Sequence, residues 1–242
     1  MRHAIAAAFA ALLAWPAGAG APAEPVSERL TYRTYLGGLP LGTLTLDLAM
    51  DRAGYAGEAR FDVTALIRTV LDSDATVRVE GGWRGDEAAP RRFDYDLRDG
   101  KKRRRTVMAF DEAGSVASVD ADPPFKRRRH SIGPEDVPGA VDPATAAILL
   151  AAPRAAPCAL DMRVFDGKQL HGVTLSEGRE AADGTVTCEG RYERLAGFKP
   201  KRMREAIFPF EAEMDPAGEG RWRPRIVRAP TKFGTATAVL RR

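Results

Sequence analysis

Apolar and polar residues alternate with a period of two along much of the chain. Between Leu44 and Met50, every second residue is apolar, and most of the intervening residues are polar. This period predicts β-strands with one buried face and one solvated face. Asp99-Gly100 and Asp166-Gly167 separate such segments and are typical of hairpin turns, because glycine readily takes a positive φ. The pattern predicts about eleven strands.

Helical patterns are few. Residues 65–71 place apolar side chains at helical spacing, and Asp142-Pro143 precedes a second candidate helix over residues 144–152. An aspartate can accept hydrogen bonds from the free amides of a first turn, where proline also fits. We predict an all-β, mainly antiparallel fold in which one strongly curled sheet carries one or two short helices. A β-spiral, a half-barrel and a closed, barrel-like sheet remain alternatives.

Glycine pairs punctuate the strands at two places. Gly37-Gly38 opens the segment 37–42, and Gly81-Gly82 follows an alternating segment. Neither pair precedes a helix with a lysine placed to reach a phosphate group, so neither is typical of a phosphate-binding loop. We expect both to be turns between strands.

The N-terminus has the order of a secretory signal peptide. Arg2 precedes an uncharged apolar segment of about a dozen residues, whereas a membrane-spanning helix needs about 20. Small residues then offer a cleavage site within Ala17-Gly18-Ala19. We predict a signal peptide over residues 1–21, a single β-rich domain over residues 22–242, and a periplasmic protein. No later segment is apolar enough to cross a membrane.

Cys158 and Cys188 are the two cysteines of the chain. A metal site would need further cysteines or histidines at short spacing, and none lies near them. Exported proteins meet oxidising conditions, so a disulfide is favoured over two free thiols. The bridge would close a loop of about 30 residues and stabilise the fold by roughly 3–4 kcal/mol in the chain-entropy treatment.

Two basic runs are the most unusual local feature of the sequence. The first is Lys101, Lys102, Arg103, Arg104 and Arg105, directly after the Asp99-Gly100 turn, and the second covers residues 126–130. In a strand, alternate members of the first run face opposite sides of the sheet. Anionic lipid, lipopolysaccharide or an acidic glycan is a candidate partner. A solvated hairpin that discourages edge-to-edge aggregation is the alternative.

The remaining composition restricts the chemistry. The net charge of the chain is +4, which is mild for its size, and aromatic residues that would stack on bases are not interleaved with the basic runs. We therefore do not expect nucleic acid as a partner. No nucleophile elbow and no metal-binding histidine spacing occurs, so no catalytic residue and no cofactor are predicted.

Several segments together resemble a known family. They are the early Tyr32-x-x-Tyr35 strand, the Gly38-Leu39-Pro40-Leu41-Gly42 segment, Asp142-Pro143, Phe165-Asp166-Gly167 after the first cysteine, and Cys188-Glu189-Gly190-Arg191-Tyr192. The chain resembles bacterial exported proteins of domain of unknown function 3108, and is distantly similar to envelope-integrity β-spiral proteins. The resemblance implies a periplasmic β-rich protein without an assigned reaction.

Two classes of function follow from these observations. The first is a non-enzymatic periplasmic protein that binds an envelope component, which is a lipid, a glycan or another envelope protein, and supports envelope integrity. The second is a hydrolase that acts on an envelope polymer through a pair of acidic residues. An apolar cleft would favour the first class, and two facing carboxylates about 5–9 Å apart would favour the second.

Overall fold

Thirteen antiparallel strands form one sheet in the computed structural model, which describes residues 26–68, 73–85 and 87–241. The strands of the first half are β1 (Val26–Leu36), β2 (Leu39–Met50), β3 (Gly54–Val63), β4 (Ser73–Arg84), β5 (Glu87–Asp99), β6 (Lys102–Phe110) and β7 (Val116–Asp122). Those of the second half are β8 (Leu160–Phe165), β9 (Leu170–Glu180), β10 (Val186–Ala196), β11 (Ile207–Pro216), β12 (Trp222–Thr231) and β13 (Gly234–Leu240). The all-β, antiparallel prediction is confirmed, with thirteen strands instead of about eleven.

The sheet consists of two meanders joined at their ends. Its order is β7-β6-β5-β4-β3-β2-β1-β13-β12-β11-β10-β9-β8, so the first and last strands are neighbours at the centre. Tyr32 on β1 faces Leu240 on β13 in this central pairing. The outermost strands, β7 and β8, are not hydrogen-bonded to each other, so the sheet is open and the closed alternative is excluded.

In the described part of the chain, helices occur within both meanders and in the connection between them. They are α1 (Ala65–Arg68), α2 (Pro143–Ala151) and α3 (Pro200–Met203), with a 3-10 turn at Pro134–Asp136. The helix predicted over 144–152 is confirmed with a shift of one residue. The helix predicted over 65–71 is confirmed as far as Arg68, and residues 69–71 lie outside the described part of the chain. α3 was not predicted.

Asp142 caps α2 as its position before Pro143 predicts. Its Oδ1 accepts hydrogen bonds from the backbone N–H groups of Ala144, at 2.9 Å, and Thr145, at 2.8 Å. Its Oδ2 accepts a further bond from the Thr145 hydroxyl, at 2.6 Å, and this hydroxyl is 2.9 Å from the Tyr55 hydroxyl on β3. The cap therefore also attaches the helix to the sheet. Because the group is buried, its pKa is raised to about 6.

The two ends of the sheet curl toward each other around the core. Gly167, in the β8–β9 turn, packs so closely that a Cβ there would lie 3.1 Å from the Thr106 methyl group on β6 and 3.2 Å from a Val119 methyl group on β7. The main core fills the space inside the curl and includes Leu30, Tyr32, Leu46, Leu48, Tyr55, Val79, Phe93, Met108, Ile148, Phe165 and Leu170. A strongly curled, half-barrel-like sheet is consistent with this packing.

Gly81-Gly82 is not a turn, contrary to the sequence prediction. Both residues lie inside β4, which continues to Arg84. A Cβ on Gly81 would lie 2.3 Å from the ring of Tyr55, which packs directly over it. The glycine therefore makes room for an aromatic side chain on a neighbouring strand, a role that glycine takes in sheets where another group approaches closely. The segment 37–42 is a turn only at Gly37-Gly38, because β2 already begins at Leu39.

The Cys158–Cys188 disulfide lies in the second meander and confirms the predicted pairing. The two Cα atoms are 5.2 Å apart. Cys188 is fully buried on β10, whereas Cys158 lies in the loop that precedes β8. The bridge packs on a second hydrophobic cluster that includes Leu175, Val186, Ala212 and Met214. It therefore ties the connection between the meanders to the core of the second one.

Candidate ligand-binding site

An apolar cavity of about 520 Å³ lies between α2 and the inner face of the first meander. Its walls come from the five strands β2 to β6, from the connection after β7, from the start of α2 and from the β8–β9 turn. The apolar lining residues are Leu44, Leu46, Ala59, Val77, Phe93, Tyr95, Phe125, Pro143, Ala144 and Ala147. The volume lies within the range of about 300–1,000 Å³ that is typical of small-molecule sites.

Strand alternation explains which side chains reach this cavity. Residues on β2 through β6 that share the inner face pair across the sheet, as Val77 does with Tyr95 on β5 and Leu97 does with Arg104 on β6. Arg104 accordingly lines the cavity with Tyr95 and Thr106. Arg104 of the first basic run thus lies on the inner face of the sheet beside apolar side chains, although it remains exposed to solvent.

The neighbours of Arg104 in the run face outward and are paired with acids. Arg103 donates to Asp96, with Nη2 2.6 Å from Oδ2, and Arg105 donates to Asp94, with Nη2 2.5 Å from Oδ2. These guanidinium groups hold the pKa values of both carboxyls below their usual range, chiefly through the hydrogen bonds. The sheet therefore divides the run between its two faces. A shared anion-binding role for all five residues stays a prediction.

A second cation, Lys168, reaches the cavity from the β8–β9 turn. Asp166 shapes this turn, since its Oδ1 accepts hydrogen bonds from the backbone N–H groups of Lys168, at 2.9 Å, and Gln169, at 2.6 Å. The Lys168 ammonium lies 5.7 Å from the centre of the Phe125 ring, which also lines the cavity. The predicted hairpin turn at Asp166-Gly167 is confirmed, and it additionally places a charge beside the apolar walls.

Asp166 also belongs to a small polar cluster with His171 and Tyr192. The His171 Nδ1 is 2.5 Å from the Tyr192 hydroxyl, and its Nε2 is 3.4 Å from Asp166 Oδ2. Phe198 packs edge-on against the imidazole, and burial raises the pKa of Tyr192. Neither His171 nor Tyr192 lines the cavity. The cluster therefore supports the turn from behind and does not present a reactive group to a ligand.

A larger groove of about 840 Å³ lies on the outer face of the first meander. Acids and bases alternate along it and pair with one another. Examples are Arg29 with Asp47, and Arg78 with Glu58, whose Nε and Oε2 are 2.9 Å apart. Exposed pairs of this kind satisfy each other and leave little net charge for a ligand. The smaller inner cavity is therefore the better candidate site.

Metal chemistry receives no support from the described residues. Across residues 26–68, 73–85 and 87–241, no group of three or more histidine, cysteine, aspartate or glutamate side chains is arranged to hold an ion. Within the same part of the chain, no helix is both long enough and apolar enough to cross a membrane. The predicted signal peptide, residues 1–21, lies outside the described residues.

Sequence reasoning did not find the cavity. It identified the strands that contribute Leu44, Phe93 and Arg104, but it did not bring those strands together with α2 and Lys168. One available signal was the alternation itself, which places Arg104 on the same face as Leu97 and Tyr95. The contact between α2 and the inner face has no comparable sequence signal.

The comparisons with known proteins bear on family membership alone. A family model described as "Protein of unknown function (DUF3108)" matches residues 31–206. This region extends from β1 through α3 and contains every lining residue of the cavity. No curated protein and no solved structure gives a match. The chain therefore belongs to the DUF3108 family, as its sequence motifs indicate.

Proposed function

We propose that this protein is a non-enzymatic periplasmic protein that binds an amphipathic, anionic envelope molecule and thereby supports the cell envelope. The apolar part of the ligand occupies the cavity beneath α2, and its anionic end lies near Arg104 and Lys168. The observation that carries the proposal is the combination of an apolar cavity with two cations in its lining.

The apolar lining favours a hydrocarbon ligand. Ten of the fifteen lining residues are apolar or aromatic, and they come from both the sheet and α2. Water held against such a surface is displaced favourably by an acyl or alkyl chain, at about 25 cal/mol per Å² of apolar area that is buried. A glycan would leave its hydroxyl groups without partners on these walls. Lipid-like molecules therefore fit better than sugars.

The two cations favour an anionic group at one end of that ligand. In the described part of the chain, neither Arg104 nor Lys168 takes part in an ion pair, whereas Arg103 and Arg105, which flank Arg104 in the sequence, do. A cation near a low-dielectric wall is screened less than one in open water. A carboxylate or phosphate placed between the two would satisfy both.

The hydrolase alternative receives less support from the same lining. Asp166 is the one carboxylate among the cavity residues, and two of its hydrogen bonds serve the β8–β9 turn. A pair of facing carboxylates, which glycoside cleavage by the usual mechanism requires, is absent from this lining. The cavity accordingly offers binding surface without an identifiable acid and base.

The test is calorimetric titration of the protein with dodecanoate and, separately, with uncharged dodecanol. Both ligands should bind the wild type, and dodecanoate should bind more tightly by about tenfold, as expected for one charge-assisted interaction. Ala147→Phe fills the cavity from α2 and should abolish binding of both ligands. Ala117→Phe adds the same group at an exposed position of β7 and should leave binding unchanged.

A matched pair of charge variants tests whether the anionic end of the ligand contacts Arg104. Arg104→Gln should weaken dodecanoate binding and leave dodecanol binding unchanged, whereas Arg103→Gln, which removes the same charge from the outer face, should alter neither. Absence of binding to both ligands, or binding that Ala147→Phe does not affect, would refute the proposal.

The periplasmic location is part of the same proposal. It rests on the signal-like order of residues 1–21, with residues 22–242 as the exported domain, and the disulfide is compatible with an oxidising compartment. Protein purified from the periplasmic fraction should begin near Gly20 when its N-terminus is sequenced. Recovery of an intact Met1 from that fraction would contradict cleavage.

A further inference from the structure

A second pocket, of about 280 Å³, adjoins the apolar cavity and is lined almost entirely by basic side chains. Its charged or titratable lining residues are Arg128, His130, Lys168, Lys199 and Arg202. No aspartate or glutamate lines it. We refer to it as the basic pocket.

Three separate parts of the chain meet to form the basic pocket. Arg128 and His130 belong to the second basic run, in the connection after β7; Lys168 comes from the β8–β9 turn; Lys199 and Arg202 belong to the segment around α3. These parts are distant in the sequence. The cations therefore converge through tertiary packing and are not merely neighbours along the chain.

Close packing at Gly197 holds two of these parts together. Its φ is +83°, and a Cβ there would lie 2.5 Å from the Lys168 carbonyl oxygen and 3.0 Å from the Gln169 Cα. Only glycine combines this backbone conformation with so close an approach. A side-chain methyl group of Ile132 also lies 3.4 Å from the same position, which brings in the connection after β7.

Arg194 fixes the α3 side of the basic pocket. Its Nη1 donates hydrogen bonds to the backbone carbonyls of Arg202, at 3.0 Å, and Glu205, at 2.9 Å. Its guanidinium lies over the ring of Phe208, 4.4 Å from the centroid. These contacts hold the backbone of the segment that carries Lys199 and Arg202 against β10 and thereby keep both residues beside the pocket.

The charges of the basic pocket have no acidic partners among the described residues. None of the ion pairs in residues 26–68, 73–85 and 87–241 involves Arg128, Lys168, Lys199 or Arg202, although ion pairs are frequent elsewhere on the sheet. Several like charges around one concave surface raise the local positive potential and attract anions. A group with more than one negative charge and several acceptor oxygens would satisfy such a site best.

Lys168 and Gln169 line both the basic pocket and the apolar cavity. An elongated amphiphile can therefore place its chain in the cavity and its head group in the basic pocket. We propose that the head group is a phosphate monoester, so that the preferred ligand is a phosphorylated lipid. This inference rests on the proposed function, because it assigns the head group of the same ligand.

The test is titration with dodecyl phosphate, dodecanoate and inorganic phosphate, which separates a lipid head group from free phosphate as the source of the anion. Dodecyl phosphate should bind the wild type at least about tenfold more tightly than dodecanoate, because the phosphate can engage additional cations. Inorganic phosphate should bind more weakly than dodecyl phosphate, since it lacks the chain.

The double variant Lys199→Gln/Arg202→Gln should remove the preference for dodecyl phosphate and leave dodecanoate binding unchanged. The matched control, Lys201→Gln/Arg204→Gln, removes the same charge from exposed neighbouring positions that do not line the pocket, and it should keep the preference.

The outcomes distinguish this inference from the proposed function. If dodecanoate binds in a manner sensitive to Ala147→Phe but dodecyl phosphate binds no more tightly, the head-group inference is wrong and the proposed function stands. If inorganic phosphate binds as tightly as dodecyl phosphate, the pocket is a free-phosphate site and the inference is overturned. If neither amphiphile binds, both proposals fail.

Discussion

The buried cap of α2 makes a quantitative prediction about pH. Asp142 is fully buried, and burial raises its pKa to about 6 from the reference value of 3.8. In the unfolded chain the carboxyl group loses its proton near pH 4, whereas in the folded protein it keeps the proton until about pH 6. The folded state therefore binds more protons between these values. The contribution of Asp142 to stability is therefore greatest below pH 4 and is lost as pH rises toward and through 6.

The size of this effect follows from the two pKa values. A difference of about two pKa units corresponds to roughly 3 kcal/mol over the whole transition. Between pH 4.5 and pH 6.5, the free energy of unfolding should fall by about 2 kcal/mol because of this group. Exposed acids with lowered pKa values, such as Asp47 and Asp96, act in the opposite direction, but only below about pH 4. The two effects therefore separate along the pH axis.

The assay is urea unfolding followed by tryptophan fluorescence at several values between pH 4.5 and pH 6.5. Asp142→Asn preserves an acceptor oxygen for the Ala144 and Thr145 amides and cannot ionise, so its profile should lack the fall of about 2 kcal/mol. Both described histidines remain in this variant, so any effect of their titration is common to the wild type and the variant. The difference between the two stability profiles therefore reports on residue 142 alone. Asp96→Asn, which removes an exposed carboxyl group, should retain the fall. An equal fall in Asp142→Asn and in the wild type would refute the reasoning.

Further predictions concern stability at defined positions. Reduction of the Cys158–Cys188 bridge, which spans 30 residues, should lower the free energy of unfolding by roughly 3–4 kcal/mol; an unchanged urea midpoint after complete reduction would contradict this. Gly190→Ala should destabilise the protein, since the new Cβ would lie 2.3 Å from the Phe210 ring, and simultaneous Phe210→Leu should recover part of the loss. Gly167→Val should also lower the melting temperature, because φ is +89° there and the turn packs on β6 and β7; wild-type melting would argue against that packing.

The sequence alone was sufficient for features that depend on neighbouring residues. Alternation with a period of two identified most of the strands, because each strand buries one face regardless of which strand covers it. Asp142-Pro143 identified the start of α2, because a cap requires only the amides of the next turn. The pairing of Cys158 with Cys188 followed from the predicted export of the chain and from the absence of other cysteines. The family motifs, which are also local, indicated DUF3108.

Tertiary structure alone decided how distant segments meet. Gly81-Gly82 has the composition of a turn, but it lies within β4, because the Tyr55 ring occupies the space above Gly81. The basic run from Lys101 is divided between the two faces of the sheet because side chains alternate along β6, and the curl of the sheet makes the face of Arg104 part of a cavity wall. The alternation places Arg104 on the face of Tyr95 and Leu97, opposite to Arg103, but it does not show that this face borders a cavity.

The candidate site belongs wholly to this second category. Its walls come from strands, a helix and a turn that are far apart in the sequence, and the basic pocket joins residues of the second basic run to Lys168 and α3. The hydrophobic pattern specifies which face of each element is buried. It does not specify which other element packs on that face, because any apolar face of suitable size could cover it. The partner is selected by the accumulated twist of thirteen strands and by close contacts such as that of Gly197 with Lys168.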